Sequence, residues 1–203
     1  NLSRNPTAKS ITAIILLVAF AFSISVVRRN NILMYLTASS LAGFEIIALL
    51  VLQLTAGNMY QLTGIIIAAI MTGLAAGSGM KLTIKSANRI KNLAFALLLY
   101  YLIIAVLTDA FLSVSGIAGS VLIIAAVLPP SFITGTLFRK LTINDENGII
   151  SSSVYTADLA GSALGFILIS ALIVPVFGIR VSLLFLSGLI FAVAAQAALS
   201  GAL

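Results

Sequence analysis

The sequence predicts an all-α protein, a polytopic bundle of transmembrane helices with about seven spans. Three observations predict it: 61% of the 203 residues are hydrophobic, only 8% are charged, and the mean hydropathy is +1.22. Soluble domains carry about 25% charged residues. We therefore expect one integral membrane domain over residues 1–203, and we expect a fragment or module of a longer protein because the chain begins at Asn1.

Seven apolar stretches are long enough, or nearly so, to cross a bilayer, which takes about 20 residues of helix. Helices are expected because hydrocarbon offers no hydrogen-bond partner to backbone amides and carbonyls. The predicted spans are residues 10–27, 32–54, 60–80, 93–112, 116–138, 149–174 and 181–199. The fifth span contains Pro129 and Pro130, so we expect a kinked or broken helix there.

The distribution of Lys and Arg predicts how the spans are oriented. The loops after spans one, three and five hold eight basic residues: Arg28, Arg29, Lys81, Lys85, Arg89, Lys91, Arg139 and Lys140. The opposite side holds three: Arg4, Lys9 and Arg180. Because Lys and Arg are enriched in cytoplasmic loops, we predict an outside N-terminus and a cytoplasmic C-terminus in a bacterial inner (plasma) membrane. The cations lie between spans, so we expect no nucleic-acid partner.

The residue inventory excludes several kinds of chemistry. The chain has no Cys and no His, which excludes Cys-ligated iron–sulfur clusters, Cys/His zinc sites and a Ser-His-Asp triad. It also lacks a glycine-rich nucleotide-binding loop. We therefore expect no catalytic residue, no metal and no cofactor in this chain. Whether the whole protein is an enzyme stays open, since any activity would lie in a domain outside these residues.

Two acidic residues lie deep inside predicted spans, while Asp109 lies near the outer end of span four. A carboxylate at the bilayer centre costs roughly 2.5–3.5 kcal/mol, so Glu45 in span two and Asp158 in span six should face protein or water. Tyr155 stands one turn before Asp158 as a local hydrogen-bond donor. These three residues form the candidate intramembrane polar site, for a solute, a cation or a proton. The alternative is a structural hydrogen bond, which we favour for Glu45 and leave open for Asp158.

Two G-x-x-x-G patterns predict close packing between helices. Gly73 and Gly77 lie in span three, and Gly161 and Gly165 lie in span six. Small residues at this spacing let two helix backbones approach closely. Asp158 precedes Gly161 by three residues and Gly165 by seven, which places the acid on the same helix face. We expect packing inside the bundle rather than dimerisation.

Two segments carry motifs whose order and spacing are informative together. The first segment contains Gly-Phe-Glu, which ends at Glu45, and Gly-Leu-Ala-Ala-Gly, which ends at Gly77. The second segment contains Tyr-x-x-Asp-x-x-Gly, which starts at Tyr155, and Pro-x-x-Gly, which ends at Gly178. Over roughly residues 36–200 the chain resembles the multi-span region of membrane-bound spermidine-synthase-like proteins. In that family the region precedes a cytoplasmic domain of the aminopropyltransferase fold. The catalytic motifs of that domain are absent here, so the resemblance implies a membrane module alone.

Three functions remain open after these observations. The first is a membrane module that anchors or serves a cytoplasmic aminopropyltransferase-like domain. The second is a transporter-like module with Glu45 and Asp158 in a polar pathway. The third is a structural subunit of a larger membrane complex. The expected partners are the lipid bilayer and either that cytoplasmic domain or other membrane subunits.

Overall fold

Every regular element that the structure describes is helical, which confirms the all-α fold class. The structure is a computed structural model, and it describes Val18 and residues 31–56, 59–80, 90–114, 116–143 and 150–199. The helices are α1 (Ile32–Ala56), α2 (Met59–Gly79), α3 (Ile90–Ser113), α4 (Gly116–Ile143), α5 (Ile150–Leu168), a π-helical turn (Ile169–Ile173) and α6 (Val174–Leu199). Helix α4 is continuous through its two prolines, so the fifth span is not broken.

The number of membrane-length helices differs from the sequence prediction. By length and composition, five helices in the described ranges are long and apolar enough to cross a membrane, not about seven. The first predicted span, residues 10–27, lies outside the described residues. The predicted sixth and seventh spans fall within a single helical run of 46 residues, Ser152–Ala197. The six residues between these two predicted spans, 175–180, hold one charged side chain, Arg180, and helical backbone continues up to Gly178 from both sides.

This run of 46 residues turns back on itself at Gly178. Gly178 has φ 79° and ψ 177°, a combination open essentially only to glycine. A straight helix would separate Ile169 from Leu186 by about 25 Å, yet both side chains pack against the same residue of α1, Gly43. The chain therefore reverses direction between them, and residues 179–199 run antiparallel to α5.

Helix α1 lies at the centre of the bundle. In its most apolar window 78% of the residues are buried, against 22% to 44% in the other four candidate spans. It contacts each of the other helices, most extensively α5 and then α4 and α6. The outer helices leave large apolar side chains exposed, among them Phe95, Val106 and Phe191. Exposed apolar surface of this extent suits a bundle that lipid surrounds.

Helices α1 and α5 touch backbone to backbone. Gly161 lies against the carbonyl of Tyr35, and Gly165 lies against the backbone of Ser39. The Ser39 hydroxyl is 2.8 Å from the Gly161 carbonyl oxygen, to which it donates across the interface. The contact advances along both helices in the same direction, so α1 and α5 are parallel. A Cβ atom at either glycine would push the two backbones apart.

Helices α2 and α4 form a second pair of the same kind. Gly73 lies against Ser131, and Gly77 lies against the carbonyl of Phe132. The Thr136 hydroxyl donates to the carbonyl of Gly77 over 3.3 Å. This bond corresponds to the one from Ser39 to Gly161 in the first pair. This pair is also parallel. The four glycines of the two G-x-x-x-G patterns thus lie at two interfaces within the bundle.

Successive helices alternate in direction. The N-terminal ends of α1 and α5 meet where the Asn31 side chain donates to the Ser153 hydroxyl. The C-terminal end of α3 meets the start of residues 179–199, where Arg180 and Asp109 form an ion pair at 3.8 Å. Both charged side chains are exposed, so the pair adds little stability. Helices α1, α3 and α5 run one way, and α2, α4 and residues 179–199 run the other.

We predict that Gly161→Ala destabilises the protein by roughly 1–3 kcal/mol, because the new methyl group overlaps the backbone of α1. Gly64→Ala is the matched control, since a Cβ atom there meets nothing within 4 Å. We expect the control to be neutral or to stabilise by about 0.5–1 kcal/mol, as alanine usually does in a helix. Thermal unfolding in detergent measures both variants. Equal stabilities would contradict the backbone contact.

Candidate functional site

Asp158 lies in a cavity of about 190 Å³ between four helices. Helices α1, α2, α4 and α5 line it with Met34, Leu74, Ala75, Ser78, Gly135, Phe138, Tyr155 and Asp158. We call it the Asp158 cavity. The volume is large enough for several water molecules or a small organic solute.

The packing of α5 brings Asp158 to this position. Gly161 and Gly165 hold one face of α5 against α1, and Asp158 is one turn before Gly161 on nearly the same face. The carboxylate side chain is half-buried, and no hydrogen bond or ion pair joins it to another residue in the described ranges. Tyr155, one turn earlier, lines the same cavity and is 54% exposed.

Three polar side chains line the cavity, and each offers oxygen atoms. The Ser78 hydroxyl donates to the Ala75 carbonyl over 3.1 Å, which leaves its lone pairs as acceptors. When ionised, the Asp158 carboxylate accepts hydrogen bonds and donates none, and Tyr155 adds a phenol oxygen. The rings of Phe138 and Tyr155 also lie at the wall, and aromatic faces attract cations. The described residues that line the cavity include no Lys or Arg, so this part of its wall suits a cation better than an anion.

The cavity lies at the basic end of the bundle. Met34 and Asp158 are near the N-terminal ends of α1 and α5, and Ser78 and Phe138 are near the C-terminal ends of α2 and α4. Arg139 and Lys140 directly follow Phe138, and Lys91 begins α3 at the same end. This is the end for which the sequence predicts a cytoplasmic position, a prediction that rests on the distribution of Lys and Arg.

Glu45 lies elsewhere in the bundle. It is half-buried on a face of α1 shared with Ile46 and Leu49, and it is not among the residues that line the Asp158 cavity. Met34, the α1 residue at that cavity, precedes Glu45 by 11 positions, or about 16 Å along the helix. The structure therefore brings Tyr155 and Asp158 together and leaves Glu45 apart. No hydrogen bond to Glu45 occurs within the described ranges.

The described ranges contain no cluster of three or more His, Cys, Asp or Glu side chains that would hold a metal ion. The described residues that line the Asp158 cavity supply a single carboxylate. A divalent cation such as Mg²⁺ or Ca²⁺ takes six or more oxygen ligands, usually with more than one carboxylate. The geometry favours a monovalent or organic cation.

A second group of functional interest is an aromatic cluster at the centre of the bundle, formed by Phe44, Tyr100 and Tyr101. The ring centroids of Phe44 and Tyr101 are 5.3 Å apart, and those of Phe44 and Tyr100 are 6.2 Å apart. The Tyr100 hydroxyl donates to the carbonyl of Ala126 on α4. Ala126 is four residues before Pro130, which has no N–H to donate to that carbonyl. Tyr100 thus supplies the hydrogen bond that the proline removes.

Sequence patterns did not indicate this cluster or the cavity walls. Tyr100 and Ala126 are 26 positions apart and on different helices, and no periodicity links them. Pro130 was a partial signal, because a proline inside a membrane helix implies a carbonyl that needs another donor. Ser78 follows the Gly73/Gly77 pattern directly, but nothing in the sequence showed that it would face Asp158.

The chain matches no protein-family model, no curated protein and no solved structure. The resemblance to spermidine-synthase-like membrane regions stays a prediction that rests on the quoted motifs. The function must be argued from the cavity and its surroundings.

We predict that Tyr100→Phe destabilises the protein by roughly 1–3 kcal/mol, because the Ala126 carbonyl loses its donor inside the bundle. In a Pro130→Ala background the same change should cost less than half as much, since residue 130 then donates an N–H to that carbonyl. A double-mutant cycle of thermal unfolding free energies measures the coupling. Equal costs in both backgrounds would show that the hydroxyl does not replace the missing donor.

Proposed function

We propose that the chain is an integral membrane module that binds a small cationic solute at Asp158. The observation that carries the proposal is a carboxylate without an ion-pair partner in the described ranges, which lines a cavity between four apolar helices. An acidic residue inside a membrane segment is expensive, and it marks a ligand or ion site by default. The two aromatic rings and two hydroxyls beside it supply acceptors for N–H groups.

The position of the cavity supports a role towards the cytoplasm. It lies at the end of the bundle with Lys91, Arg139 and Lys140. We propose that this end is cytoplasmic and that the module holds its solute there for a cytoplasmic domain or partner. A spermidine-synthase-like domain is our proposal for that partner, on the resemblance of the motifs. Sequencing the gene beyond Leu203 tests this partner directly. A reading frame that encodes no glycine-rich nucleotide-binding loop would contradict the proposal of a spermidine-synthase-like domain.

The number of crossings belongs to the same proposal. We propose about seven, in a bacterial inner membrane, with the N-terminus outside. The sixth and seventh crossings are supported by the chain reversal at Gly178, which divides the run Ser152–Ala197 into two antiparallel parts. As a straight helix, 46 residues would extend about 69 Å, over twice the thickness of the hydrocarbon layer. For residues 10–27 the support is their hydropathy alone.

We predict that ethylammonium raises the unfolding temperature of the detergent-solubilised protein and that acetate does not. A ligand at one hundred times its Kd stabilises by about 2.7 kcal/mol. Asp158→Asn should abolish the shift, because the amide cannot neutralise the cation, while the matched control Glu45→Gln should keep it. An undiminished shift in Asp158→Asn would refute the site.

The orientation is tested with single cysteines, since the native chain has none. Ser113 is exposed at the C-terminal end of α3, and Met80 is 56% exposed just after α2, at the opposite end of the bundle. A membrane-impermeant thiol reagent added to intact cells should label Ser113→Cys and leave Met80→Cys unlabelled. The reverse pattern would invert the proposed topology.

A further inference from the structure

We propose that the Asp158 cavity is one end of a transmembrane route whose other end is a small apolar cavity, and that Phe44, Tyr100 and Tyr101 close the route. This inference rests on the proposed function, because a route requires a solute. The apolar cavity, which we call the distal cavity, has a volume of about 30 Å³. Helices α1, α3, α4 and α6 line it, with Val51, Thr108, Ile123 and Ile179 among the residues.

The two cavities lie in opposite halves of the bundle. On α1, Met34 lines the Asp158 cavity and Val51 lines the distal cavity. These residues are 17 positions apart, or about 25 Å along the helix, which is most of the hydrocarbon thickness. The distal cavity is therefore near the end marked by the Asp109–Arg180 pair. A solute that passed between the two cavities would cross nearly the whole membrane.

The aromatic cluster lies between the cavities. Phe44 follows Met34 by ten residues on α1 and itself lines the distal cavity. Tyr101 packs against Phe44 and is fully buried. Tyr100 packs against both rings and binds the carbonyl of Ala126, which also lines the distal cavity. Of the three rings, Phe44 lines the distal cavity and none lines the Asp158 cavity. In the proposed route the rings lie across the path between the two cavities.

Helix α4 carries a weak point at the level of these rings. Its residues before the two prolines, Ile123 and Ala126, line the distal cavity, and its residues after them, Gly135 and Phe138, line the Asp158 cavity. The prolines remove two intrahelical hydrogen bonds, so the two halves of α4 are joined less stiffly than the halves of an ordinary helix. The Tyr100–Ala126 hydrogen bond ties the half of α4 before the prolines to α3, next to this joint, and we call it the latch.

A buried hydroxyl beside this joint has no hydrogen-bond partner in the part of the chain that the structure describes. It belongs to Thr134, which is 1% exposed and directly precedes Gly135 of the Asp158 cavity. A buried polar group without a partner is costly. Water or a solute N–H group that entered the route from the Asp158 cavity would satisfy this hydroxyl.

The test uses a cysteine placed beyond the rings, Thr108→Cys, in sealed vesicles. The probe is a membrane-impermeant cationic methanethiosulfonate, added to the side on which Met80→Cys is labelled. That side is the Asp158 end, because Met80 follows α2 there. Labelling of the thiol at position 108 should be slow in the otherwise native chain. Tyr100→Phe removes only the latch. Because one hydrogen bond that keeps the route closed is lost, the labelling rate should rise roughly tenfold.

Phe95→Ala is the matched control on α3, since Phe95 is exposed and forms none of the ring contacts of the cluster. It should leave the labelling of the thiol at position 108 slow. Pro130→Ala, combined with Tyr100→Phe, should return the labelling to the slow rate because α4 regains an intrahelical donor. Unchanged labelling in Tyr100→Phe, or fast labelling in the otherwise native chain, would overturn the closed route. Neither result decides whether ethylammonium binds at Asp158, because the shift in unfolding temperature tests that binding independently.

Discussion

The burial of α1 is the constraint on which the rest of the bundle depends. A helix covered on nearly all sides can pack closely against its neighbours only where small residues lie at the contacts, because large side chains keep the helix backbones apart. Ser39 and Gly43 meet that requirement on the faces towards α5 and α6. The buried hydroxyls of Thr37, Ser39 and Ser40 on α1 find acceptors in backbone carbonyls, including that of Gly161 across the interface. The central helix is thus both apolar enough for a membrane and fully packed.

The candidate site follows from the same contacts. Gly161 and Gly165 fix α5 against α1, while Gly73 and Gly77 fix α2 against α4. The Asp158 cavity forms where the ends of these two pairs meet, near the basic end of the bundle. The carboxylate is held by rigid backbone contacts rather than by a hydrogen bond of its own within the described ranges. Such an acid keeps its acceptor capacity for a solute.

The sequence was sufficient for the helices and for the glycine motifs, because both depend on local composition and spacing. Hydropathy predicted the starts of α1, α2 and α4 to within one residue. It also placed a break between spans six and seven at residues 175–180, whereas the structure confines the break to Gly178, with helical backbone on both sides. The cavity and the Tyr100–Ala126 bond escaped prediction, because each joins residues of different helices. The sequence grouped Glu45 and Asp158 in one candidate site, and the packing of the helices placed them apart.

The central position of α1 is tested most directly by the distance between the two segments that meet at Gly43. With cysteines at Ile169 and Leu186, a short bifunctional thiol reagent should join them within one molecule, because both side chains contact Gly43. Cysteines at Leu122 and Arg139 have the same spacing on the continuous helix α4, about 25 Å, and should not be joined. Failure of the first pair under conditions that label both of its thiols would contradict the reversal at Gly178 and the packing of both segments on α1.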